Sequence, residues 1–555
     1  MATYRTPGVY VEEVATLPPS VAEVATAVPA FIGHTQRVPA GAGDPAVLRV
    51  ATMLEFEGAF GGALPVGFKV TEPDDPAAAP AIDLVPPTSP FSLHDAVSLY
   101  FRNGGGPCYI VSVGDYEASP SLARFSAGLA ALEREDEPTL LVLTDAACVL
   151  TAGDYYVLCA EALQQCRTLG DRFTIIDVVN GDWKAFRNDA SLSVNLAYGA
   201  AYHPYLQTVI GREYVESAVR VIRRGAAQST DSGALTLGGD NGLRVGYSGP
   251  SGGQVHVAVD AGTKSGQIGF SIQDGTLTIA NANAKAATDL VAAWTTWASA
   301  NGAGGFDLQP AGDGSAVVTN TKDIAATPIP LTSTAGSASL ADLKTTQTAL
   351  YNRAKTALAG QRVTLPPSAA VAGIYARVDR EQGVWKAPAN VGVLAVIGPT
   401  TKVTNDDQDQ LNVDPTGGKS INAIREFTGR GTLVWGGRTL AGNDNEWRYV
   451  SVRRLFLVIE ESTRKATAFA VFEANDQSTW LKVKAMIESY LYGLWQQGAL
   501  AGSKPDEAYF VRVGLRTTMT EDDVLAGRMI VEIGVAAVRP AEFIVLRFSH
   551  KMQTA

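Results

Sequence analysis

Between Ser92 and Val179 the sequence alternates amphipathic helices with strands that are apolar at nearly every position. Ser92 stands where a helix N-cap belongs, and Leu93, Ala96, Val97, Tyr100 and Phe101 follow at i, i+3, i+4 spacing. Cys108–Val113 reads as a strand, and Ser121–Leu132 as a helix with Leu122, Phe125, Leu129 and Leu132 on one face. Thr139–Thr144 is again a strand, Asp154–Leu169 a helix and Phe173–Val179 a strand. A strand with no polar face must be covered on both sides, and the intervening helices supply that cover. The pattern dictates an α/β sheet buried on both faces. Ala27–His34 reads as one more buried strand.

The rest of the 555 residues allows two to four domains in all. Residues 36–90 are rich in Pro, Gly and Ala and read as loops, with a short helix near Thr52–Phe60. Arg212–Arg224 reads as helical. From about Gly225 to Gly336 charge is sparse and short alternating stretches recur (Gln254–Val259, Gln267–Ile272, Thr276–Ile279), with one helical patch at Ala286–Ala298. This is the pattern of a mainly β module inserted in a host domain. Pro366-Pro367 marks the return to the host. Val371–Tyr375 is short and apolar, Asp406–Val413 helical or irregular, and Ile421–Phe427 leads to a strand at Thr432–Trp435. Two long helices follow. One, around Asn445–Lys465, carries Val452, Leu455, Phe456 and Ile459. The other is capped by Asn475 or Asp476, carries Trp480, Val483, Ile487, Leu491 and Leu494, and is ended by Gly498. Tyr509–Val513 and Met529–Val538 are strands, and Thr520 caps a short helix between them.

Both ends of the chain are strands on proline-bounded tethers. Val9, Tyr10, Val11, Glu12, Glu13 and Val14 lie between Pro7-Gly8 and Pro18-Pro19, with no second strand in hairpin range. From Met1 to Pro19 the tether reaches roughly 60 Å when extended. At the other end Glu542–Phe548 (Phe543, Ile544, Val545, Leu546, Arg547, Phe548) forms a strand beyond Pro540. Lone strands need an edge to pair with, in their own fold or in another copy.

A net charge of -11 argues against a nucleic-acid partner. No signal peptide and no apolar run of about 18 residues is present, so synthesis in the cytoplasm is expected and membrane insertion is not. The four cysteines, Cys108, Cys148, Cys159 and Cys166, sit in apolar patterns and read as buried thiols. The five histidines are scattered, and no His/Cys/Asp cluster has metal-ligand spacing, so neither metal nor cofactor is expected. Gly249–Gly253 matches G-x-S-x-G around Ser251, with His256 and Asp260 nearby, but its flanks are a Gly-rich loop and an alternating strand instead of a strand and a helix. Gly417-Gly418-Lys419-Ser420 looks like the end of a phosphate-binding loop, yet Val413 stands where its leading glycine belongs. Asn103–Pro107 is Gly-rich but runs from helix to strand, the wrong sense for a phosphate cradle. Arg448, Arg453 and Arg454 fit two readings equally: a basic cluster facing an acidic partner, or a solvated helix face paired with Glu460 and Glu461. So thin a catalytic inventory favours a structural or assembly role.

Several multi-residue motifs resemble, in order, those of tail sheath proteins of contractile phages and phage-tail-like injection particles. They are Tyr4–Glu13, Phe101–Pro107, Val384–Asn390, Gly431–Thr439 and Glu446–Val450 with Arg453-Arg454. Phe472–Asp476, Leu494–Leu500, Thr518–Thr520 and Pro540–Phe543 complete the set. The resemblance covers about residues 1–35, 90–210 and 360–550. It implies a multidomain α/β and α+β fold with strand-forming arms at 1–20 and 541–555. Between them it implies a sheath core at 21–210 and 346–400, an inserted outer domain at 211–345, and a C-terminal assembly domain at 401–540 facing an inner tube. It further implies no enzymatic activity and no cofactor. Copies of this chain would form six-fold rings stacked helically, linked by strand exchange in the C-terminal domain, with paralogous sheath proteins as additional subunits. An inner tube protein, a baseplate and a tail terminator would be partners, and the particle would be assembled in a bacterial cytoplasm. Contraction would drive the tube through a target envelope. The helix bearing Glu521, Asp522 and Asp523, with Arg528, is expected to face the tube. A different self-assembling tail or baseplate component is the alternative, and a hydrolase using Ser251 a remote third.

Overall fold

The computed structural model describes residues 21–544, except residues 40, 42, 76–77, 223–229, 238–240, 251–254, 260–266, 274, 283–284, 317–323, 330 and 334–336. The chain divides into two compact units. The first takes in Met1–Ala63, Phe91–Ile210 and Val363–Ala555, and the second Leu64–Pro90 and Gly211–Arg362.

The first unit is built on a nine-stranded sheet. Its strands are β1 (Pro29–Thr35), β2 (Ala46–Val50), β3 (Cys108–Asp115), β4 (Leu140–Val142), β5 (Phe173–Asp177), β6 (Gly199–His203), β7 (Val391–Gly392), β8 (Ile421–Phe427) and β9 (Gly431–Val434). They lie in the order β2-β3-β1-β4-β5-β6-β8-β9-β7. The six strands from β3 to β8 run parallel, and β2, β9 and β7 pair antiparallel at the edges. β1, β4, β5 and β6 are buried at every position, as their unbroken apolar runs require. Helices α1 (Leu93–Arg102), α2 (Leu122–Ala131), α3 (Ala152–Leu169) and α4 (Ser368–Gln382) supply the cover. Ser121 and Thr151 cap α2 and α3 by accepting from the backbone N–H of Arg124 and Asp154, and Gly170 ends α3 in the left-handed conformation. Val371–Tyr375 lies inside α4, where every residue from Ser368 to Ala376 is buried.

Beyond the sheet the first unit carries a second, smaller core. Helices α5 (Val450–Thr467) and α6 (Gln477–Gln496) pack Leu455, Val458 and Ile459 against Val483, Ile487 and Leu491. Asp476 caps α6 by accepting from Thr479 N–H. The hairpin of β10 (Tyr509–Val513) and β11 (Val531–Val535) closes this core. The main sheet therefore absorbs β8 and β9, which places the change of core after Val434 and not at residue 401.

The second unit contains three four-stranded sheets. One joins Ser337–Ser339, Arg220–Ile222, Gly67–Thr71 and Ala81–Val85. Residues 36–90 thus hold three strands (β2 and two here) where loops were expected, although Thr52 does cap a helix at Met53–Phe60. Of the expected helix Arg212–Arg224, the described part to Ile222 holds no α-helix, only a 3-10 turn at Glu216–Ala218. Val219 and Val221 alternate inward beside Phe68 and Val70, and Arg220–Ile222 pairs in parallel with Lys69–Thr71. The other two sheets pack around a helix, Ala287–Asn301, through Leu290, Trp294, Val245, Val257, Leu277 and Phe306. This unit reaches Arg362 and includes Leu64–Pro90, a wider span than 211–345.

Candidate functional site: an open hairpin and the roots of the two chain ends

In open α/β sheets a ligand sits beyond the carboxyl ends of the strands, near the point where strand order reverses. Here that point lies between β3, β1 and β4, and the chain fills it itself. Asp145, just past β4, accepts from His34 N–H at 2.8 Å and from Ser92 N–H at 2.6 Å. Asp177, at the end of β5, accepts from Ser368 N–H at 2.8 Å at the start of α4, and Ser368 Oγ lies 2.6 Å from Thr144 Oγ1. All six of these residues are buried. A Cβ at Gly33 would come within 2.6 Å of the Asp145 side chain, so the fit tolerates only glycine there. Two helix N-termini that could hold an anion elsewhere are thus occupied by the protein's own carboxylates.

The other catalytic candidates resolve similarly. Lys419 is buried and its Nζ donates to the carbonyls of Arg187 and Asp189, at 2.9 and 2.8 Å, which makes it a structural clasp. Asn103 ties the end of α1 to Leu394 through both its amide groups, confirming a tight helix exit. Cys108, Cys159 and Cys166 are buried and Cys148 is partly so. Burial pushes the thiols of Cys148 and Cys166 up to about 12. Ser251 and Asp260 lie outside the described residues. Among the described residues, no group of three or more His, Cys, Asp and Glu could hold a metal ion, and no helix is long and apolar enough to cross a membrane.

What remains open is the hairpin. β10 and β11 pair from Tyr509↔Val535 to Val513↔Val531 and form a two-stranded sheet. Beside β11 runs a groove of about 900 Å³, lined by Phe456, Ile459, Val471, Val483, Ile487, Met529, Val531, Ile533 and Val535. Phe472, at its rim, is fully exposed in a left-handed backbone conformation (φ 69). A two-stranded sheet with an apolar trough along it is a ready template for a further strand.

Both chain ends are fixed where they meet the first unit. Val24 N–H donates to Ser462 Oγ at 3.2 Å, and Arg454 of α5 donates to the carbonyl of Thr26 at 2.7 Å. Arg454 also pairs with Asp379 of α4, and its guanidinium lies 4.6 Å from the Tyr375 ring centre. Burial works against its charge, but Asp379 outweighs burial and the Arg454 pKa is raised. At the other end Glu542 accepts from Arg438 Nε and Nη2 at 2.8 and 2.6 Å, from Asn412 Nδ2 at 2.9 Å and from Tyr449 Oη at 3.2 Å. Burial would raise the Glu542 carboxyl, yet these donors hold it below its ordinary range. Glu542, Phe543 and Ile544 are therefore not in a strand, and Phe543 and Ile544 are 71% and 80% exposed. Val9–Val14 and Val545–Phe548 lie outside the described residues.

The basic cluster requires correction. Arg453 and Arg454 are 5% and 2% exposed and face inward. Arg453 lies between the rings of Tyr198 and Trp447, at 4.5 and 4.4 Å, and bonds Glu460 at 3.4 Å. Glu461 is taken by Arg464 and Lys465 instead. Arg448 is half-buried and bonds the Gly442 carbonyl and Asn445. The guanidiniums of Arg453 and Arg454 are buried inside the chain, Arg453 with its Nε left without a hydrogen-bond partner among the described residues, so neither is presented to a partner. The expected short helix is present at Glu521–Leu525. Thr520 and Asp523 form its capping box, Arg528 pairs with Asp523 at 2.7 Å, and Glu521, Asp522 and Leu525 are exposed. The bonds at Glu542 and Arg454 escaped the sequence reading. The nearest signal was that Arg438, Tyr449 and Glu542 each fall within a multi-residue motif already singled out.

Residues 274–440 match the family model of the phage tail sheath protein central domain, and residues 442–551 match that of the phage tail sheath C-terminal domain. The junction between the two matches falls close to the change of core. The tail sheath protein of Vibrio phage KVP40 is 24% identical over 185 residues, which is 33% of this chain and 26% of that relative's own length. Two solved structures are similar over nearly the whole chain. The helical sheath of the anti-feeding prophage in its contracted state is 27% identical with a TM-score of 0.55, covering 99% of this chain and 100% of that one. The PVC sheath complex of an extracellular contractile injection system, also contracted, is 26% identical with a TM-score of 0.53, covering 99% of each.

Proposed function

The chain belongs to the contractile tail sheath family, whose members are structural proteins and not enzymes, and from that premise we propose how it assembles and works. Copies join head to tail into six-fold rings stacked as a helical cylinder around an inner tube. The cylinder shortens on a baseplate signal and drives the tube through a target envelope. Such contacts are heterologous, and a rotation that does not close produces an open polymer.

The observation that carries this reading is the two-stranded hairpin with its apolar groove, in a chain whose two ends both leave from fixed roots. Val9–Val14 and Phe543–Phe548 of other copies are the strands that complete the hairpin. Main-chain bonds contribute about 0.5–1.5 kcal/mol each, and each Val, Ile or Phe moved from water into the groove about 1.5–3 kcal/mol. Summed over a six-residue strand, this outweighs the ordering of a tether already stiffened by Pro18-Pro19. Strand exchange also keeps subunits linked while they reorient, because ladder bonds persist as the tethers bend. No nucleotide is needed if the extended cylinder stores the free energy of assembly.

On this reading the helix Glu521–Leu525 with Arg528 faces the tube; its position in the loop between the hairpin strands supports that assignment. Residues 211–345 are placed outermost, where added bulk does not obstruct the rings. The deciding experiment removes Met1 to Thr16. The truncated chain folds and stays dispersed but forms no cylinders on negative-stain grids. Contractile cylinders built from the truncated chain would overturn the reading.

A further inference from the structure

Three separate stretches of sequence converge on one carboxylate. Arg438 follows β9, Tyr449 immediately precedes α5, and Asn412 ends the helix Asn405–Asn412; all three donate to Glu542. We propose that Arg438 is the positioning residue of the C-terminal arm. It pins the root of the arm, at Glu542, to the main sheet, so that an arm engaged by another copy is held by the sheet and not by the hairpin alone. This rests on the strand-exchange reading above.

The geometry separates this pin from ordinary packing. The chain leaves β11 at Val535, and Val538 N–H is bonded to the Ala499 carbonyl, so up to that point it belongs to the hairpin core. Four residues on, the fixed contact is on the other core. Arg438 is itself immobilised. Asn422 of β8 accepts from its backbone N–H at 2.8 Å and donates to its carbonyl at 2.7 Å, and donates also to Ala201 of β6 at 3.2 Å. The guanidinium grips Glu542 through two parallel N–H···O bonds and reaches the Asn412 carbonyl with a third nitrogen at 3.3 Å. A two-pronged pair fixes direction as well as distance, which a single hydrogen bond does not. Directly past it the chain enters solvent with Phe543 and Ile544 exposed, so Glu542 is the last fixed point of the described chain.

The clamp also complements the one at the other end. The N-terminal segment leads into β1 of the main sheet, but its Val24 packs against the smaller core and donates to Ser462 of α5, whose Arg454 also holds the Thr26 carbonyl. The C-terminal segment comes out of the smaller core but is held by Arg438 beside the main sheet. Each end is thus pinned to the core that its adjoining strand does not belong to. Pulling on either arm loads both cores and the connection between them, which suits a subunit that must turn as a body while its arms stay engaged.

The test uses the full-length chain in four forms: wild type, a deletion of residues 543–555, Glu542→Gln, and a Gly-Ser-Gly insertion between Glu542 and Phe543. Thermal unfolding of the dispersed subunit controls for folding, and the fraction sedimenting as cylinders, checked by negative stain, reads assembly per folded subunit. Glu542→Gln loses one charge-assisted prong and is expected to assemble about tenfold more weakly per folded subunit, beyond any loss of thermal stability from leaving Arg438 without its counter-charge. The insertion leaves the clamp intact but frees the arm from it, and is expected to assemble as poorly. A purely structural role for Glu542 would leave the insertion, which keeps the clamp, assembling as wild type, and that result overturns the proposal. If the deletion abolishes cylinders while the other two variants assemble normally, the pin is wrong and strand exchange stands. If the deletion itself assembles normally, it is strand exchange that fails.

Discussion

Arg454 holds the carboxylate of Asp379 and, from the same guanidinium, the carbonyl of Thr26, so one buried side chain ties α5, α4 and the root of the N-terminal segment together. Both charges are almost wholly out of water, at 3% and 4% side-chain exposure. In that setting the net worth of the pair is small, but removal of one partner strands the other. Arg454→Met should therefore cost the dispersed subunit about 3–5 kcal/mol in urea unfolding, while the double change Arg454→Met with Asp379→Leu recovers most of it. A single substitution costing under about 1 kcal/mol would mean that water reaches Asp379 once the arginine is gone.

Two buried groups set opposing slopes of stability with pH. Burial raises the Asp177 carboxyl to about 7 despite its bonds to Ser368. The folded chain keeps that proton above the unfolded value of about 3.9, so the contribution of Asp177 is greatest in acid and is lost as pH climbs to about 7. His203 runs the other way. Burial lowers it to about 4, against the pull of Asp407, so the folded chain holds it neutral. Its contribution is full above the unfolded value of about 6.5 and is lost as pH falls toward 4. Between about pH 4 and 6.5 the two slopes, each at most ~1.4 kcal/mol per pH unit, largely cancel. Asp177→Asn should unmask a rising stability across that window, and His203→Gln a falling one, in thermal scans against pH.

The core strands were legible because their burial is written into consecutive residues. Leu140–Val142 and Phe173–Asp177 leave no face for water, and Ser121, Thr151 and Asp476 stand where caps are needed. Gly67–Thr71 and Arg220–Ile222 were not legible. They are five and three residues long; Gly67–Thr71 sits between Ala81–Val85 and Arg220–Ile222, and both partners of Arg220–Ile222, Lys69–Thr71 and Ser337–Ser339, are remote in sequence. The arginines misled for a related reason. On helical spacing Arg453 and Arg454 sit beside a polar stripe, but Tyr198 is 255 residues from Arg453 and Asp379 is 75 from Arg454. Periodicity records which face a helix hides from its neighbours in sequence. It does not record that a distant ring or carboxylate will cover the opposite face.

Ile533 offers a test of the groove that leaves the chain ends alone. It is half-buried on β11 and lines the trough, so a charge there meets water in the dispersed subunit and apolar side chains once a strand is seated. Ile533→Lys should cost the subunit little and weaken assembly by about 10- to 100-fold, the equivalent of the ~1.5–3 kcal/mol of burial forgone. Sedimentation of cylinders across a protein concentration series measures the shift. Loss of folding in parallel would show that Ile533 serves the subunit's own core instead.

The register of the exchanged strands has its own signature. Glu12 and Glu13 at one end, and Arg547 and Lys551 at the other, are opposite in sign and sit on segments proposed to lie side by side on one hairpin. Opposite charges across neighbouring strands contribute about 0.2–1 kcal/mol per pair, and like charges oppose pairing by a similar amount. Reversing Glu12 and Glu13 to lysine should weaken assembly by several-fold, more so at low salt, where screening is least. Reversing Arg547 and Lys551 to glutamate in the same chain should restore part of the loss, because a reversed pair keeps its attraction. Deletion of either arm cannot make this distinction, since it removes strand and charge together. Salt-dependent sedimentation of the single and combined reversals separates the two, and a combined variant no better than its parents would show that the arms do not lie beside one another.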